Sequence, residues 1–224
     1  MSPSLILFDI DGTLVRQTGP HHRQALVQAV RLVTGLDSTT DGIPVHGMLD
    51  PDILALMLRA AGIDPERARK LMPALLVAAE DVYLADVPDL RDRCCPGVPR
   101  LLTEFHTRQI PLALVTGNLT RIGWRKLERA GLHHYFVFGA FGEMAPTRGG
   151  LAKLAIERAR AEGLIREDAR ISLIGDAPQD IRAAQENGIQ SIAVRTGITP
   201  AGDLEECSPD YLLDDLTRLD LSIV

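Results

Sequence analysis

The sequence has few of the features that mark secreted, membrane-embedded or nucleic-acid-binding proteins. It contains three cysteines in 224 residues, two of them adjacent, and so small and odd a set does not form a disulfide framework. No apolar run approaches the roughly 18 residues that a membrane-spanning helix needs. The formal net charge is −6, so the chain lacks the basic excess that draws proteins to nucleic acid or anionic membranes. We therefore predict neither a nucleic-acid nor a membrane partner.

The N-terminal residues also lack a signal peptide, because no basic region precedes the short apolar run at residues 5–8. Together with the unpaired cysteines, this predicts a reducing, cytoplasmic location. Hydrophobic residues make up 46 % and charged residues 24 % of the chain, which predicts a folded core. A length of 224 residues allows one domain with room for a smaller second unit. We expect a monomer or a homodimer.

Four short apolar runs predict strands that are buried on both faces of a parallel sheet. They cover residues 5–8, 110–115, 171–174 and 189–194. Helical patterns that end near a glycine lie at residues 120–130, 151–161 and 178–187. Two weaker strands are predicted at residues 135–141 and 211–213, the second at a sheet edge. The alternation indicates an α/β fold with a doubly wound, Rossmann-like parallel sheet.

Residues 15–92 interrupt this alternation, because their apolar spacing is helical throughout. We predict a helical cap domain at residues 15–92 and a catalytic core formed by residues 1–14 and 93–224. The cap helices are expected at residues 21–34, 51–61 and 65–85.

Several details of the cap are predicted as well. Asp50 is expected to be the N-cap of the second helix, and Pro73 is a site for a kink in the third. We expect His21 and His22 to be solvated residues at the start of the first helix. The loop at residues 42–50, which contains His46, is expected to face the catalytic centre when the cap closes.

Two carboxylates, Asp9 and Asp11, stand two residues apart where the first predicted strand ends. Side chains two residues apart in a strand point to the same face of the sheet. The two carboxylate charges therefore repel each other unless a cation lies between them. Mg²⁺ suits this position because it takes carboxylate, water and phosphate oxygens. An EF-hand is disfavoured, since the other acidic ligands of such a loop are missing around Gly12.

Polar motifs follow two further predicted strands, Thr116-Gly117-Asn118 after the second and a GDxxxD motif at residues 175–180 after the third. The series DxDGT, TGN and GDxxxD, with a helical insert between the first two, resembles the haloacid dehalogenase (HAD) superfamily with a helical C1 cap. The phosphoglycolate-phosphatase-like branch is the most similar. This resemblance covers essentially the whole chain.

The resemblance implies roles for four aspartates. Asp9 corresponds to the nucleophile that forms an aspartyl-phosphate, and Asp11 corresponds to the general acid and base. Asp9, the backbone carbonyl of Asp11 and the carboxylate of Asp176 correspond to the protein ligands of Mg²⁺. Asp180 would contact the metal through water or orient one of its ligands. An equally good explanation is that Asp180 is only a favourable acidic residue in the first turn of a helix.

The resemblance also implies a phosphate site. Thr116 and the amides of Gly117 and Asn118 would hold the phosphoryl oxygens. The family lysine that usually precedes the fourth strand is missing, and here the chain departs from the pattern. We expect Arg148, in the loop before the helix at residues 151–161, to supply this charge to substrate and nucleophile; Lys153 is the alternative.

The implied function is that of a Mg²⁺-dependent phosphatase acting on a small phosphorylated metabolite. A phosphosugar mutase of the same superfamily is an alternative, because it differs only in whether water or a substrate hydroxyl accepts the phosphoryl group. A dehalogenase is disfavoured because Asp11 and Thr13 are both retained. A catalytically silent module that binds a phospho-ligand is the hypothesis from another class.

Overall fold

A six-stranded parallel sheet organises the computed structural model, which describes residues 1–224. Its strands are β1 (Ser2–Phe8), β2 (Leu112–Val115), β3 (Phe138–Ala140), β4 (Ile165–Gly175), β5 (Gln190–Val194) and β6 (Tyr211–Leu213). They lie in the order β3-β2-β1-β4-β5-β6, with every neighbouring pair parallel. The strand order reverses between β1 and β4, and ligands bind at such a reversal, outside the carboxyl ends of the strands.

Eight α-helices accompany the sheet. They are α1 (His21–Thr34), α2 (Asp50–Ala60), α3 (Pro65–Ala85), α4 (Val98–Thr107), α5 (Thr120–Ala130), α6 (Arg148–Ala161), α7 (Pro178–Glu186) and α8 (Ala201–Glu206). The predicted α/β class is confirmed, and β6 lies at the edge of the sheet as predicted. No helix combines the length and the apolar character that crossing a lipid bilayer requires.

The two faces of the sheet carry separate apolar layers. Ile6 and Phe8 of β1 pack with α4 and α5 on one face, and Leu5 and Leu7 pack with α6 and α7 on the other. This follows from the alternation of side chains along a strand. Burial of each such side chain contributes about 1.5–3 kcal/mol to folding. Because β1 is buried on both faces, it holds the residues that directly follow it in a fixed position.

The inserted segment forms the three helices α1, α2 and α3, which bury a shared apolar cluster. Leu119 and Ile122, at the start of α5, belong to the same cluster, so the insert packs directly on the sheet-bearing part. Helix α3 continues through Pro73. The domain boundaries at 14/15 and 92/93 stay a prediction.

Two predicted helix starts are wrong, for identifiable reasons. Asp50 is the first residue of α2 rather than its N-cap, which is Leu49, because the Asp50 carboxylate accepts the amide hydrogen of Leu119 instead of capping its own helix. Helix α6 begins at Arg148, three residues earlier than predicted, because the Thr147 side chain caps it by accepting from Gly150 N at 3.0 Å. Arg148 is therefore helical and not a loop residue.

Strand limits also differ from the predicted ones. Strand β4 begins at Ile165, earlier than predicted. The residues that follow Ile165 are mostly exposed and polar, so this half of the strand carries no apolar signal in the sequence. Strand β3 is limited to Phe138–Ala140 because His133–Tyr135 forms a 3₁₀ turn. Strand β2 starts at Leu112, two residues later than predicted.

Candidate active site

The three motif segments meet at the carboxyl edge of the sheet. Asp9 directly follows β1, Thr116 follows β2 and Asp176 follows β4. All three line a cavity of about 460 Å³ that lies between the sheet edge and the helical insert. A volume of this size is typical of small-molecule sites.

Three buried carboxylates form a cluster at the cavity, and two of them, Asp9 and Asp176, line it. Asp9, Asp176 and Asp180 each offer an oxygen within 4.8 Å of the others. Burial raises the pKa of Asp9, although the charge of Arg148 opposes the shift. Burial and the charges of Asp9 and Asp180 raise the pKa of Asp176 well above its ordinary value. Each carboxylate is therefore costly to ionise in this cluster unless positive charge is present.

The donor set fits a hard divalent cation. One oxygen of Asp176 and one of Asp180 are buried without a hydrogen bond; each has only an ion-pair contact, with His46 Nε2 at 3.4 Å and with Arg148 Nε at 3.3 Å respectively. A buried carboxylate oxygen without a hydrogen bond is unfavourable. All the donor atoms of this cluster are carboxylate oxygens, which suit Mg²⁺ better than a soft metal. Asp9 and Asp176, both predicted metal ligands, belong to this cluster, whereas the carboxylate of Asp11 does not.

Glycine lets the chain pass close to the Asp176 carboxylate. A Cβ on Gly12 or on Gly197 would overlap that carboxylate, and Gly12 has a φ of +83°, which disfavours other residues. Thr13 adds a hydroxyl that donates to Asp176 Oδ1 at 3.3 Å. These contacts hold Asp176 in one position opposite Asp9.

Arg148 neutralises part of this acidic cluster. Its Nη1 donates to Asp9 Oδ1 at 3.1 Å and to the carbonyl of Val115 at 3.1 Å. Its Nε lies 3.3 Å from Asp180 Oδ1. Burial acts to lower the pKa of Arg148, but the charges of Asp180 and Asp9 outweigh it and raise that pKa. The guanidinium is a fixed positive charge beside Asp9.

Asp180 serves its own helix as well as the cluster. Its Oδ2 accepts the amide hydrogen of Ala177 at 3.2 Å, at the start of α7. Burial raises the pKa of Asp180 to about 7, although Arg148 opposes the shift. Asp180 lies in the first turn of α7 and also belongs to the carboxylate cluster, and its support of a metal stays a prediction.

Asp11 has a different set of partners. Its Oδ2 accepts from Lys126 Nζ at 2.5 Å and from Asn118 Nδ2 at 2.8 Å. Burial acts to raise the pKa of Asp11, but the adjacent Lys126 charge outweighs it and the pKa is lowered. The side chain of Asp11 is 38 % exposed, so it can meet a group that enters the cavity.

The Thr116-Gly117-Asn118 segment is held tightly against the insert. Asn118 Nδ2 donates to Thr116 Oγ1 at 2.7 Å, and Asp50 N donates to the carbonyl of Gly117 at 2.9 Å. A Cβ on Gly117 would overlap the carbonyl oxygen of Met48. The loop before α2 therefore lies directly on the predicted phosphate site.

His46 lies on the cavity wall, where the loop at residues 42–50 was expected to face the site. Thr199 donates its hydroxyl hydrogen to the carbonyl of Asp176 at 2.7 Å and lies 2.6 Å from His46 Nε2, so Nε2 carries the proton in this pair. Gln179 Nε2 donates to the carbonyl of His46 at 3.4 Å. Burial lowers the pKa of His46.

Lys153, the alternative to Arg148, lies outside the cavity. Its side chain is 68 % exposed and its Nζ is 3.9 Å from Glu157. Sequence reasoning missed Lys126, which is fully buried. The sequence does contain a signal that Lys126 is buried, because Lys126 lies on the face of α5 that carries Ile122, Leu127 and Ala130, all of which are buried.

The prediction that His22 is a solvated residue at the start of α1 is wrong. Its Nε2 lies 2.9 Å from Asp50 Oδ2 and its Nδ1 lies 3.1 Å from Lys126 Nζ. His22 shares the helical stripe of Leu26 and Ala29, the buried side of α1. It therefore faces the sheet edge and lines the cavity rather than solvent.

A comparison with protein families gives one family match along most of the chain. Residues 3–188 match the model of the haloacid dehalogenase-like hydrolases. All three sequence motifs and the helical insert fall within this range.

Curated proteins and solved structures resemble the chain over nearly its full length. A glyceraldehyde 3-phosphate phosphatase of Methanopyrus kandleri is 29 % identical, with 93 % of this chain and 92 % of that protein covered. A phosphoglycolate phosphatase of Pseudomonas fluorescens is 26 % identical, with 97 % and 78 % covered. The crystal structure of a β-phosphoglucomutase from Clostridium difficile has a TM-score of 0.70 at 18 % identity, with 100 % and 95 % covered. This last likeness shows a shared fold.

Proposed function

Because the chain belongs to the haloacid dehalogenase-like hydrolases, we propose that it hydrolyses a small phosphomonoester through a phosphoryl group carried on Asp9. One observation carries this proposal: the two carboxylates of the first motif have separate partners. Asp9 lies in the acidic cluster beside Arg148, whereas Asp11 lies outside that cluster and contacts Lys126 and Asn118. Two carboxylates in different environments suit two different roles.

In the first step, a carboxylate oxygen of Asp9 attacks phosphorus, and the bond from phosphorus to the ester oxygen breaks. Arg148 stabilises the negative charge on the transferring group from a fixed position, as do Thr116 and the backbone amides after it. Asp11 delivers a proton to the departing oxygen. The products of this step are the free alcohol and an acyl phosphate on Asp9.

In the second step, a water molecule attacks the phosphorus of the acyl phosphate and the bond to Asp9 breaks. Asp11, now ionised, takes the proton of that water. Lys126 lowers the pKa of Asp11, which favours this basic form. Inorganic phosphate then leaves and Asp9 is restored.

Mg²⁺ is the proposed cofactor, with Asp9, the Asp11 carbonyl and Asp176 as its protein ligands and Asp180 as a residue that supports them. When bound, it would neutralise negative charge on the phosphoryl oxygens. Two of these groups, Asp9 and Asp176, already belong to the buried cluster.

The relatives that resemble this chain are named for the phosphatases of glyceraldehyde 3-phosphate and phosphoglycolate. These names, and a cavity of about 460 Å³, support a small phosphorylated metabolite as the substrate.

Phosphate release from a panel of phosphomonoesters, with Mg²⁺ or with EDTA, tests the proposal. The panel includes phosphoglycolate, glyceraldehyde 3-phosphate and hexose phosphates. We expect release from at least one small ester, its loss with EDTA, and recovery with added Mg²⁺. An isomerised hexose phosphate without free phosphate would indicate a mutase instead, and binding without turnover would indicate a silent module.

A further inference from the structure

A chain of polar contacts links the helical insert to Asp11. Asp50 Oδ2 lies 2.9 Å from His22 Nε2, and His22 Nδ1 lies 3.1 Å from Lys126 Nζ. Lys126 in turn contacts Asp11. His22 belongs to α1 and Asp50 to α2, whereas Lys126 belongs to α5. In this series of contacts, α1 and α2 of the insert reach Asp11 through one buried lysine.

The donors and acceptors in this series of contacts allow only one arrangement of protons. Lys126 Nζ has three contacts, with Asp11 Oδ2 at 2.5 Å, Asn118 Oδ1 at 2.6 Å and His22 Nδ1 at 3.1 Å. An ammonium group has three N–H bonds and no acceptor, so each contact uses one of them. His22 Nδ1 must accept, and its Nε2–H then donates to Asp50.

Burial makes this arrangement specific. The side chain of Lys126 is 0 % exposed and that of Asp50 is 3 % exposed. Asp50 Oδ2 also accepts the amide hydrogen of Leu119 at 2.9 Å, which holds it in place at the start of α5. An aromatic edge contact from Tyr83, with ring centroids 5.9 Å apart, fixes the imidazole plane of His22. Away from water, a misplaced donor or acceptor here would be left unpaired.

We propose that His22 and Asp50 are positioning residues that direct the third N–H of Lys126 and thereby hold Lys126 on Asp11. Since both come from the insert, Asp11 receives its lysine partner in this geometry only when the insert is seated on the sheet edge. The proposal rests on the proposed function, in which Asp11 transfers protons. It concerns the placement of Lys126, so its first test does not depend on turnover.

That first test is the tautomer of His22. In ¹⁵N-histidine-labelled protein, long-range ¹H–¹⁵N spectra distinguish the two neutral tautomers and the doubly protonated ring, and His22→Ala assigns the signal. We expect the Nε2–H tautomer in the wild type and loss of this fixed state in Lys126→Met. An Nδ1–H tautomer or a doubly protonated His22 would overturn the proposal, because neither can accept from Lys126. This result stands even if no phosphomonoester proves to be a substrate.

The second test is a double-mutant cycle on turnover. We expect His22→Ala to lower kcat by roughly 10- to 100-fold, the scale for slight misplacement of a reacting group. Once Lys126→Met has removed the residue through which His22 acts, His22→Ala should add almost nothing. Independent, multiplicative losses in the two variants, or a change in KM alone, would contradict the proposal and indicate direct substrate contact by His22.

Two matched variants control this cycle. Asp50→Asn keeps an acceptor for His22 and Leu119, so it should retain more activity than Asp50→Ala. His21→Ala removes the neighbouring histidine, which does not line the cavity, and should leave kcat unchanged. Thermal unfolding of each variant shows whether the fold is retained. Equal losses in Asp50→Asn and Asp50→Ala, both folded, would contradict the positioning role.

Discussion

Two buried cations contact different acidic residues of the site. Arg148 contacts Asp9 and Asp180, whereas Lys126 contacts Asp11. The difference matters because an arginine fork can hold two oxygens in a fixed plane, while a lysine directs separate N–H bonds to separate acceptors. At the scale of single residues, the proposed mechanism therefore uses one fixed positive charge for phosphoryl transfer and another beside the acid and base.

Removal of the guanidinium tests the first of these roles. We expect Arg148→Ala to lower kcat by roughly 10²-fold or more, the scale for losing one preorganised electrostatic group. Lys153→Ala is the matched control, because Lys153 is exposed and pairs only with Glu157, and its kcat should stay near that of the wild type. Steady-state phosphate release measures both. A loss of kcat in Lys153→Ala but not in Arg148→Ala would assign this role to Lys153 instead.

The buried thiol of Cys95 allows a second test at this scale. Burial raises the pKa of Cys95 to about 12, and its Sγ contacts the carbonyl of Gly12 at 3.6 Å. At pH 8 the folded protein therefore holds Cys95 as an unreactive thiol. With iodoacetamide, peptide mapping should show Cys207 modified well before Cys95, and denaturant should remove the difference. Preferential labelling of Cys95 in the folded protein would contradict this.

Helix starts decide where several of these residues point. Thr147 caps α6 and so places Arg148 in the first turn, directed toward β1. Asp64 caps α3 in the same way by accepting from Glu66 N and Arg67 N, but it lies in the insert, and its side chain does not line the cavity. Each cap therefore stabilises the start of its own helix, but only the Thr147 cap holds a residue of the site, Arg148.

We expect Thr147→Ala and Asp64→Ala each to lower the free energy of unfolding by about 1 kcal/mol, the usual cost of a lost N-cap. Only Thr147→Ala should also lower kcat, because it loosens the first turn that carries Arg148. Thermal or urea unfolding and steady-state kinetics measure the two effects. Equal kcat values in the two variants would show that the cap does not position Arg148.

Elements with strong periodicity could be predicted from the sequence. The spans of α1, α3 and α5 are confirmed residue for residue, because each has a regular apolar stripe and a clear end. The start of α6 could not be predicted so well, since Gly149-Gly150 in the sequence suggests a turn and the cap hydrogen bond of Thr147 is visible only in the structure. Lys126 was missed because a lone lysine in a helix normally lies in solvent.

At the scale of the whole molecule, the sheet order brings Asp9 and Asp176 together. Strands β1 and β4 are neighbours at the point where the strand order reverses, although 166 residues separate Phe8 from Ile174, which are paired in register. The motifs predicted that these residues would meet. The loop that contains His46 was expected to face the site, and it lines the cavity. The position of His22 on the cavity wall was not predicted, because its contacts with Asp50 and Lys126 join elements that are distant in sequence.

Metal binding should be visible as a change in the stability of the whole chain. A ligand held only by the folded state stabilises it, by about 2.7 kcal/mol at one hundred times its Kd. We expect Mg²⁺ to raise the Tm of the wild type, Asp176→Ala to lose most of this increase, and Asp180→Ala to retain most of it. The ranking follows because a direct ligand loses a bond, whereas a supporting residue loses only orientation. Equal Mg²⁺ titrations of the two variants would refute it.

The phosphoryl group on Asp9 is the feature on which the mechanism depends, and it can be trapped. Enzyme mixed with substrate and Mg²⁺ is quenched within the first turnovers, reduced with borohydride, which converts an acyl phosphate to an alcohol, and mapped by peptide mass spectrometry. We predict reduction at Asp9, dependent on substrate, with neither reduction nor phosphate release in Asp9→Asn. Reduction at another residue, or near-normal steady-state phosphate release by Asp9→Asn, would contradict the mechanism.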